Sequence, residues 1–222
     1  MARLTGEVAR VRELESKNGV KLTVEILHPA NTEDNKESLT LTSRIWQREA
    51  RQIQAIAPEA ARRAYFASDV AFLASVNLDE CCILCAQDQF DRILGVLMYA
   101  YSQREQRWHL DFLTAWPDNQ PGYPYGDPIR GVGMELLGAG VADMTQKNCS
   151  TIDLETLDGE AERFWRARGW HNTTEPLHLT CPEARDLAVR LANTEKEDPE
   201  KEWMFAGRQA QLRRVHSPMD PW

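Results

Sequence analysis

Long apolar runs are missing from this 222-residue chain. No stretch approaches the roughly 18 apolar residues that a membrane-spanning helix requires. The start, Met1-Ala2-Arg3-Leu4-Thr5-Gly6-Glu7, lacks the apolar core of a secretory signal. Cysteine is scarce: five residues, an odd number, fit a reducing compartment better than a disulfide framework. These absences set the expectation of a soluble, cytoplasmic protein with no membrane partner. Cationic side chains are outnumbered, with 26 Lys and Arg against 34 Asp and Glu and a formal net charge of -8. That balance argues against a general nucleic-acid surface. Arg208, Arg213 and Arg214 form the best local basic cluster, and they read as a solvated tail. Internal repeats and low-complexity segments are absent too. Cys81-Cys82-x-x-Cys85 invites a metal reading, but in a strand Cys81 and Cys85 share a face while Cys82 points away. No metal is expected, and the cysteines read as core residues.

The chain is long enough for one sizeable core, so one domain with extensions is the expectation: a segment 1–19, a main domain 20–207 and a tail 208–222. Val20, Leu22, Val24 and Ile26 alternate with polar residues as in a strand, and Asn18-Gly19 before them is a hairpin signal that leaves room for an extra N-terminal strand. Leu39 to Ala64 reads as helical with an interruption near Pro58, and Ile45, Ile53 and Ile56 read as core contacts. Cys82–Ala86 and Ile93–Tyr101 form an antiparallel hairpin leading into a strand over Arg107–Trp116. Met134, Leu137, Val141 and Met144 then recur at helical spacing. Thr151–Leu157 reads as a buried strand, and a helix follows, with Asp158 as N-cap and Gly169 just past its end. Pro182 opens a further helix whose face carries Ala184, Leu187, Ala188 and Leu191. Glu202–Gly207 is a candidate last strand displaced by that helix, or a helix continuing toward Arg214. An antiparallel meander followed by strand-helix units implies an α/β chain, a mixed and mostly antiparallel central sheet with helices on both faces.

The chemistry-bearing stretch is Pro128-Ile129-Arg130-Gly131-Val132-Gly133-Met134-Glu135, set between a strand and a helix. Gly131 and Gly133 lack Cβ atoms, so the backbone can turn tightly and present successive N–H groups to a ligand. The first N–H groups of a helix have no internal partner and lie at the positive end of its dipole, so an anion suits the place. A lone Gly-x-Gly is weak by itself. The second motif, Phe164-Trp165-x-x-x-Gly169-Trp170, adds specificity.

Together, Pro128-x-x-Gly131-x-Gly133 and Phe164-Trp165-x-x-x-Gly169-Trp170 resemble the GNAT superfamily of N-acetyltransferases over about residues 80 to 175. The superfamily's signatures are Gln/Arg-x-x-Gly-x-Gly/Ala and, later, Phe-Tyr-x-x-x-Gly-Phe. The resemblance implies the GNAT fold, acetyl-CoA as acyl donor and an amine acceptor, either small molecule or protein. It implies that the backbone of Leu113, Thr114 and Ala115 grips the pantetheine arm, and that Arg130, Gly131, Val132, Gly133 and Met134 receive the pyrophosphate. It also brings Trp165 against the CoA arm. His109 and Asp111 match strand positions where members keep a general base, and both share a sheet face with Ala115 provided no bulge intervenes. A histidine has the right ordinary pKa for that task.

Two residues depart from the superfamily. Trp165 stands where a tyrosine usually protonates the leaving thiolate, and an indole N–H is no acid near neutral pH. Tyr99, Tyr123 or Tyr125 would have to supply the proton, or the thiolate leaves unassisted. Pro128 lacks a long polar side chain for the cofactor. The loop 117–127 is longer than usual, and its carboxylates would suit a cationic amine. The expected activity is transfer of acetyl from acetyl-CoA to a primary amine by direct attack in a ternary complex. The competing expectation is a GNAT-fold module that binds CoA and regulates or recruits, with weak or no catalysis.

Overall fold

A computed structural model of the chain describes residues 3–116, 124, 126–147, 150–156, 159–172 and 176–193. Met1–Leu191 form one compact unit. Its seven strands lie in one sheet in chain order: β1 (Gly6–Glu15), β2 (Lys21–Pro29), β3 (Cys82–Asp88), β4 (Ile93–Ser102), β5 (Arg107–Ala115), β6 (Thr151–Leu154) and β7 (Leu177–Thr180). All neighbours pair antiparallel except β5 and β6, which are parallel. The mixed, mostly antiparallel sheet expected from the sequence is therefore the one observed. The segment before residue 20 is a full strand of ten residues joined to β2 through Gly19 at φ 80°, which glycine adopts without a Cβ clash.

The two faces of the sheet carry different helices. On one lie α1 (Glu33–Ile53) and α2 (Pro58–Val76), packed over Leu27, Ile83, Cys85, Val96 and Met98. Helix α1 starts earlier than apolar periodicity suggests because Thr32 accepts a hydrogen bond from the Asn35 N–H, capping a polar first turn. Alanines 60, 61, 64, 67, 71 and 74 of α2 are all buried, and their small side chains let the two helices approach closely. Ile53 is fully buried as expected, but Ile56 is 59% exposed, because it falls in the turn before Pro58 and not on the apolar stripe of α1.

On the other face lies α3 (Val132–Gln146), with Leu136, Leu137, Val141 and Met144 buried over β2 to β5. Beside it are α4 (Gly159–Arg166) and α5 (Cys181–Asn193), the latter burying Ala184 and Leu187. Cys82 joins this core and Cys81 the opposite one, as strand alternation requires. Gly169 follows α4 at φ 104°, a left-handed helix-ending residue. Strand β7 was not legible in the sequence. Its four residues are too few to show a period, and it pairs with β6 directly before α5. Asp158 and Glu202–Gly207 lie outside the described residues.

At the start of α5, Glu183 reaches back to Thr180, the carboxylate half of a capping box. Glu183 accepts from the Thr180 hydroxyl (2.7 Å) and N–H (2.8 Å), and its other oxygen lies 3.0 Å from His171 Nε2. The Thr180 hydroxyl, then its N–H, then His171 hold the Glu183 carboxyl down at about 2. A depressed carboxylate stabilises the fold above its unfolded value, about 4.3, and loses that stabilisation as pH falls toward about 2. Glu183→Ala should cost about 1 kcal/mol at neutral pH, the exposed setting keeping it no larger. The difference in Tm from the parent should shrink between pH 5 and pH 2; a difference constant across that range would assign the cost to packing instead.

Candidate functional site

Strand β5 is paired differently on its two sides. Toward β4 it is matched along its whole length, from Ser102↔Arg107 to Gly95↔Ala115. Toward β6 only Trp108↔Ile152 and His109↔Asp153 are in register, and β6 ends at Leu154. Among the described residues, no strand lies beside β5 on that side from Asp111 to Ala115. The two strands part there, leaving a backbone edge available to an extended ligand.

A β-bulge sits where they part. Met98 faces Phe112 while the next residue, Tyr99, faces Leu110, so Asp111 is an extra residue in β5. The bulge reverses the alternation. Trp108 and Leu110 before it, and Leu113 and Ala115 after it, all pack toward α3, whereas Phe112 packs toward α1 and α2. His109 therefore lies on the face opposite Ala115, and the expected common face of His109, Asp111 and Ala115 is not formed. The three-residue spacing between Leu110 and Leu113 was the trace of this bulge in the sequence. Asp111 reaches solvent, yet the apolar atoms around it push its carboxyl above the usual range, with the nearby His109 pulling it partly back. His109 Nε2 lies 3.2 Å from Glu105 Oε2.

The turn into α3 is tied to the N-terminal hairpin. Lys17 N–H donates to the Pro128 carbonyl (2.9 Å), Arg130 N–H to Glu15 (3.3 Å) and Asn18 N–H to the Asp127 carboxylate (2.9 Å). Ser16 and Ile129 form an isolated bridge. Gly131 then caps α3 at φ 86°. Val132 is buried in the core and Met134 half-buried against it, which fixes the first turn. At Gly133 an added Cβ would meet nothing of the described residues outside its own helix turn within 4 Å, so that side of the first turn is open. A glycine there fits close approach by an anionic ligand.

Electrostatics support the same occupant. Glu135, in the first turn of α3, would repel an anion, but it is paired with Arg10 (2.9 Å) and Arg12 (3.2 Å) of β1. Arg168, just past α4, reaches the same turn: its Nε lies 3.3 Å from Met134 Sδ, its Nη1 donates to the Phe164 carbonyl (2.8 Å), and its guanidinium stacks 3.6 Å from the Phe164 ring. Cations thus outnumber the carboxylate around the helix start. Arg130 was legible beside the glycines in the sequence, whereas Arg168 and the Ser16–Asn18 turn were not, because their closeness to the helix start is a property of the fold alone.

The candidate acids are otherwise engaged. Trp165 is 8% exposed and sits edge-on between Phe164 and Trp170, at centroid distances of 4.9 and 5.1 Å. The Tyr99 hydroxyl donates to Asp143 (2.6 Å), and burial, with that hydrogen bond, pushes the phenol far above its ordinary range. That hydrogen bond ties the Tyr99 proton to Asp143. Tyr123 and Tyr125, and most of the 117–127 loop, lie outside the described residues. No cluster of three or more metal-ligating side chains occurs among the described residues.

No family model matches the chain, and no curated protein matches it. Solved structures similar to it include a protein from Exiguobacterium sp. 255-15 named as an acetyltransferase, with TM-score 0.48, 14% identity, 75% of this chain and 98% of that one covered. Tetrahymena GCN5 is similar with TM-score 0.44 at 14% identity, covering 70% and 94%. A GNAT-family acetyltransferase from Brucella melitensis, in complex with acetyl-CoA, is similar with TM-score 0.43 at 13% identity, covering 71% and 87%. One of these three is named as a GNAT-family acetyltransferase, and the chain's own mixed seven-stranded sheet with helices on both faces is of the fold class expected from its sequence.

Proposed function

We propose that the chain is an acyl-CoA-dependent N-acyltransferase that passes an acetyl group from acetyl-CoA to a primary amine by direct attack in a ternary complex. One observation carries the reading: β5 has an unpaired edge beside the glycine-capped start of α3, where, among the described residues, nothing outside its own helix turn lies within 4 Å of a Cβ at Gly133. The edge suits the amide-bearing pantetheine arm, and the helix start suits the pyrophosphate. Arg130, Gly131, Val132, Gly133 and Met134 provide that anion site, with Arg168 adding charge beside Met134. Backbone groups of Leu113, Thr114 and Ala115 lie along the arm, where an N–H directed at the thioester oxygen stabilises the charge that develops there. Trp165 contributes its ring to the wall and no proton.

The amine must lose a proton as its nitrogen–carbon bond forms and the carbon–sulfur bond breaks. Asp111, at the bulge where β5 and β6 part, takes that proton in this reading, with His109 beside it and Glu105 beyond. Asp111→Asn should lower kcat/KM by about 10²-fold or more. His109→Ala removes the positive influence that pulls the Asp111 carboxyl down, so the rising limb of log(kcat/KM) should shift to higher pH. A limb unmoved in His109→Ala and retained in Asp111→Asn would remove both residues from the reaction.

The buried place of Trp165 and the engaged Tyr99 favour a second reading, a CoA-binding module that regulates or recruits with little turnover. Thiol release over a panel of amines, measured beside CoA calorimetry, separates the two. The enzyme reading expects amine-dependent thiol release; CoA binding with none across the panel leaves the second.

A further inference from the structure

We propose that Trp46 and Trp116 form an oxygen-recognition subsite on the acceptor side of β5, so that the amine accepted by this chain carries a carbonyl or carboxylate oxygen. This rests on the acyltransferase reading above. Trp46 of α1 is fully buried, and its Nε1 has no hydrogen-bond partner. Trp116 is the first residue after β5, and its Nε1 is likewise buried and unpartnered. Their rings meet at a centroid distance of 6.2 Å and an interplanar angle of 60°.

An indole N–H only donates, so its missing partner is an acceptor. Buried donors in native proteins are nearly always satisfied, as Trp108 is by the Lys147 carbonyl at 3.0 Å. Trp170 Nε1 on the opposite face is unpartnered too, but Trp46 and Trp116 bring two such donors onto neighbouring rings, and that pair is a place for an oxygen. The position fits the acceptor. Trp116 directly follows Ala115, its own N–H held by the Leu94 carbonyl at 2.6 Å. Trp46 belongs to the α1 and α2 side, across the sheet from α3 and its anion site. Arg92 lies 5.9 Å from the Trp116 ring and is balanced by Asp88, which it contacts at 2.6 Å. The subsite thus presents donors with little net charge, and a neutral carbonyl fits it as well as a carboxylate does.

The test is nitrogen-15 spectroscopy of the indole N–H groups in the full chain, with Trp46→Phe and Trp116→Phe identifying the two resonances. Glycine brings a carboxylate, glycinamide a carbonyl, and ethylamine neither. Both resonances should move with glycine or glycinamide, the responding compound showing which oxygen is used, and stay still with ethylamine. Trp116→Phe should raise KM for the responding amine about tenfold, the worth of one hydrogen bond, with kcat, CoA affinity and the KM for ethylamine unchanged. Resonances that ignore all three compounds, or follow ethylamine equally, overturn the proposal. Should Trp46→Phe not fold, Trp116→Phe alone supplies both readouts, because Trp116 is only half-buried. Thiol release with motionless indoles removes the subsite alone, whereas absent CoA binding and thiol release remove the acyltransferase reading whatever the indoles do.

Discussion

Replacing Gly133 with valine should weaken CoA binding about 100-fold, the value of two charge-assisted backbone hydrogen bonds of about 1.5 kcal/mol each, while the fold keeps its stability. The separation of the two effects comes from the open space: among the described residues, a Cβ at residue 133 meets nothing outside its own helix turn within 4 Å, so the substitution leaves the packing of α3 in place. Valine is no worse in a helix than glycine. Gly131 behaves differently. At φ 86° it holds a conformation that side chains disfavour, so Gly131→Ala should lose about 1–2 kcal/mol of stability whether or not CoA is present. Calorimetry of CoA binding with Tm measured alongside checks both variants. Unchanged affinity in a folded Gly133→Val protein would count decisively against the anion site at α3.

Arg107→Ala should destabilise the protein, because it leaves the buried Asp153 carboxylate without its cationic partner. Asp153 in β6 is 2% exposed and receives Arg107 Nη1 at 2.6 Å. Arg107 is itself 39% exposed, so water reaches the pair and limits the cost. The location gives the pair a second role. Asp153 is matched to His109, the last register before β5 and β6 part, so the contact closes the foot of the opening. Denaturant unfolding of Arg107→Ala, Asp153→Asn and the double variant provides the check. The double variant should recover much of the loss; if it is as unstable as Arg107→Ala, an uncompensated carboxylate is not the cause.

Sequence alone determined the order of most elements and the position of the glycine turn that opens α3. Glycines at 131 and 133 between an apolar strand and an amphipathic segment are local signals, because the backbone freedom of glycine and the exposed N–H groups of a first helical turn need no distant partner. The Asn18-Gly19 turn, the alternation in β2, the hairpin of β3 and β4 and the apolar face of α5 are local in the same way. The remainder depended on groups far apart in the chain. The bulge at Asp111 exists only in the register of β5 against β4, and by reversing one alternation it moved His109 away from the face of Ala115. The four residues of β7 became a strand because β6 offered an edge to pair with. Arg168 came to Met134, Ser16 to Ile129, and Trp46 to Trp116 through the packing of helices and hairpin around the sheet. Periodicity describes which way a side chain points along its own element; which element lies opposite is decided by the burial of apolar surface summed over the whole core, and only the tertiary structure records that outcome.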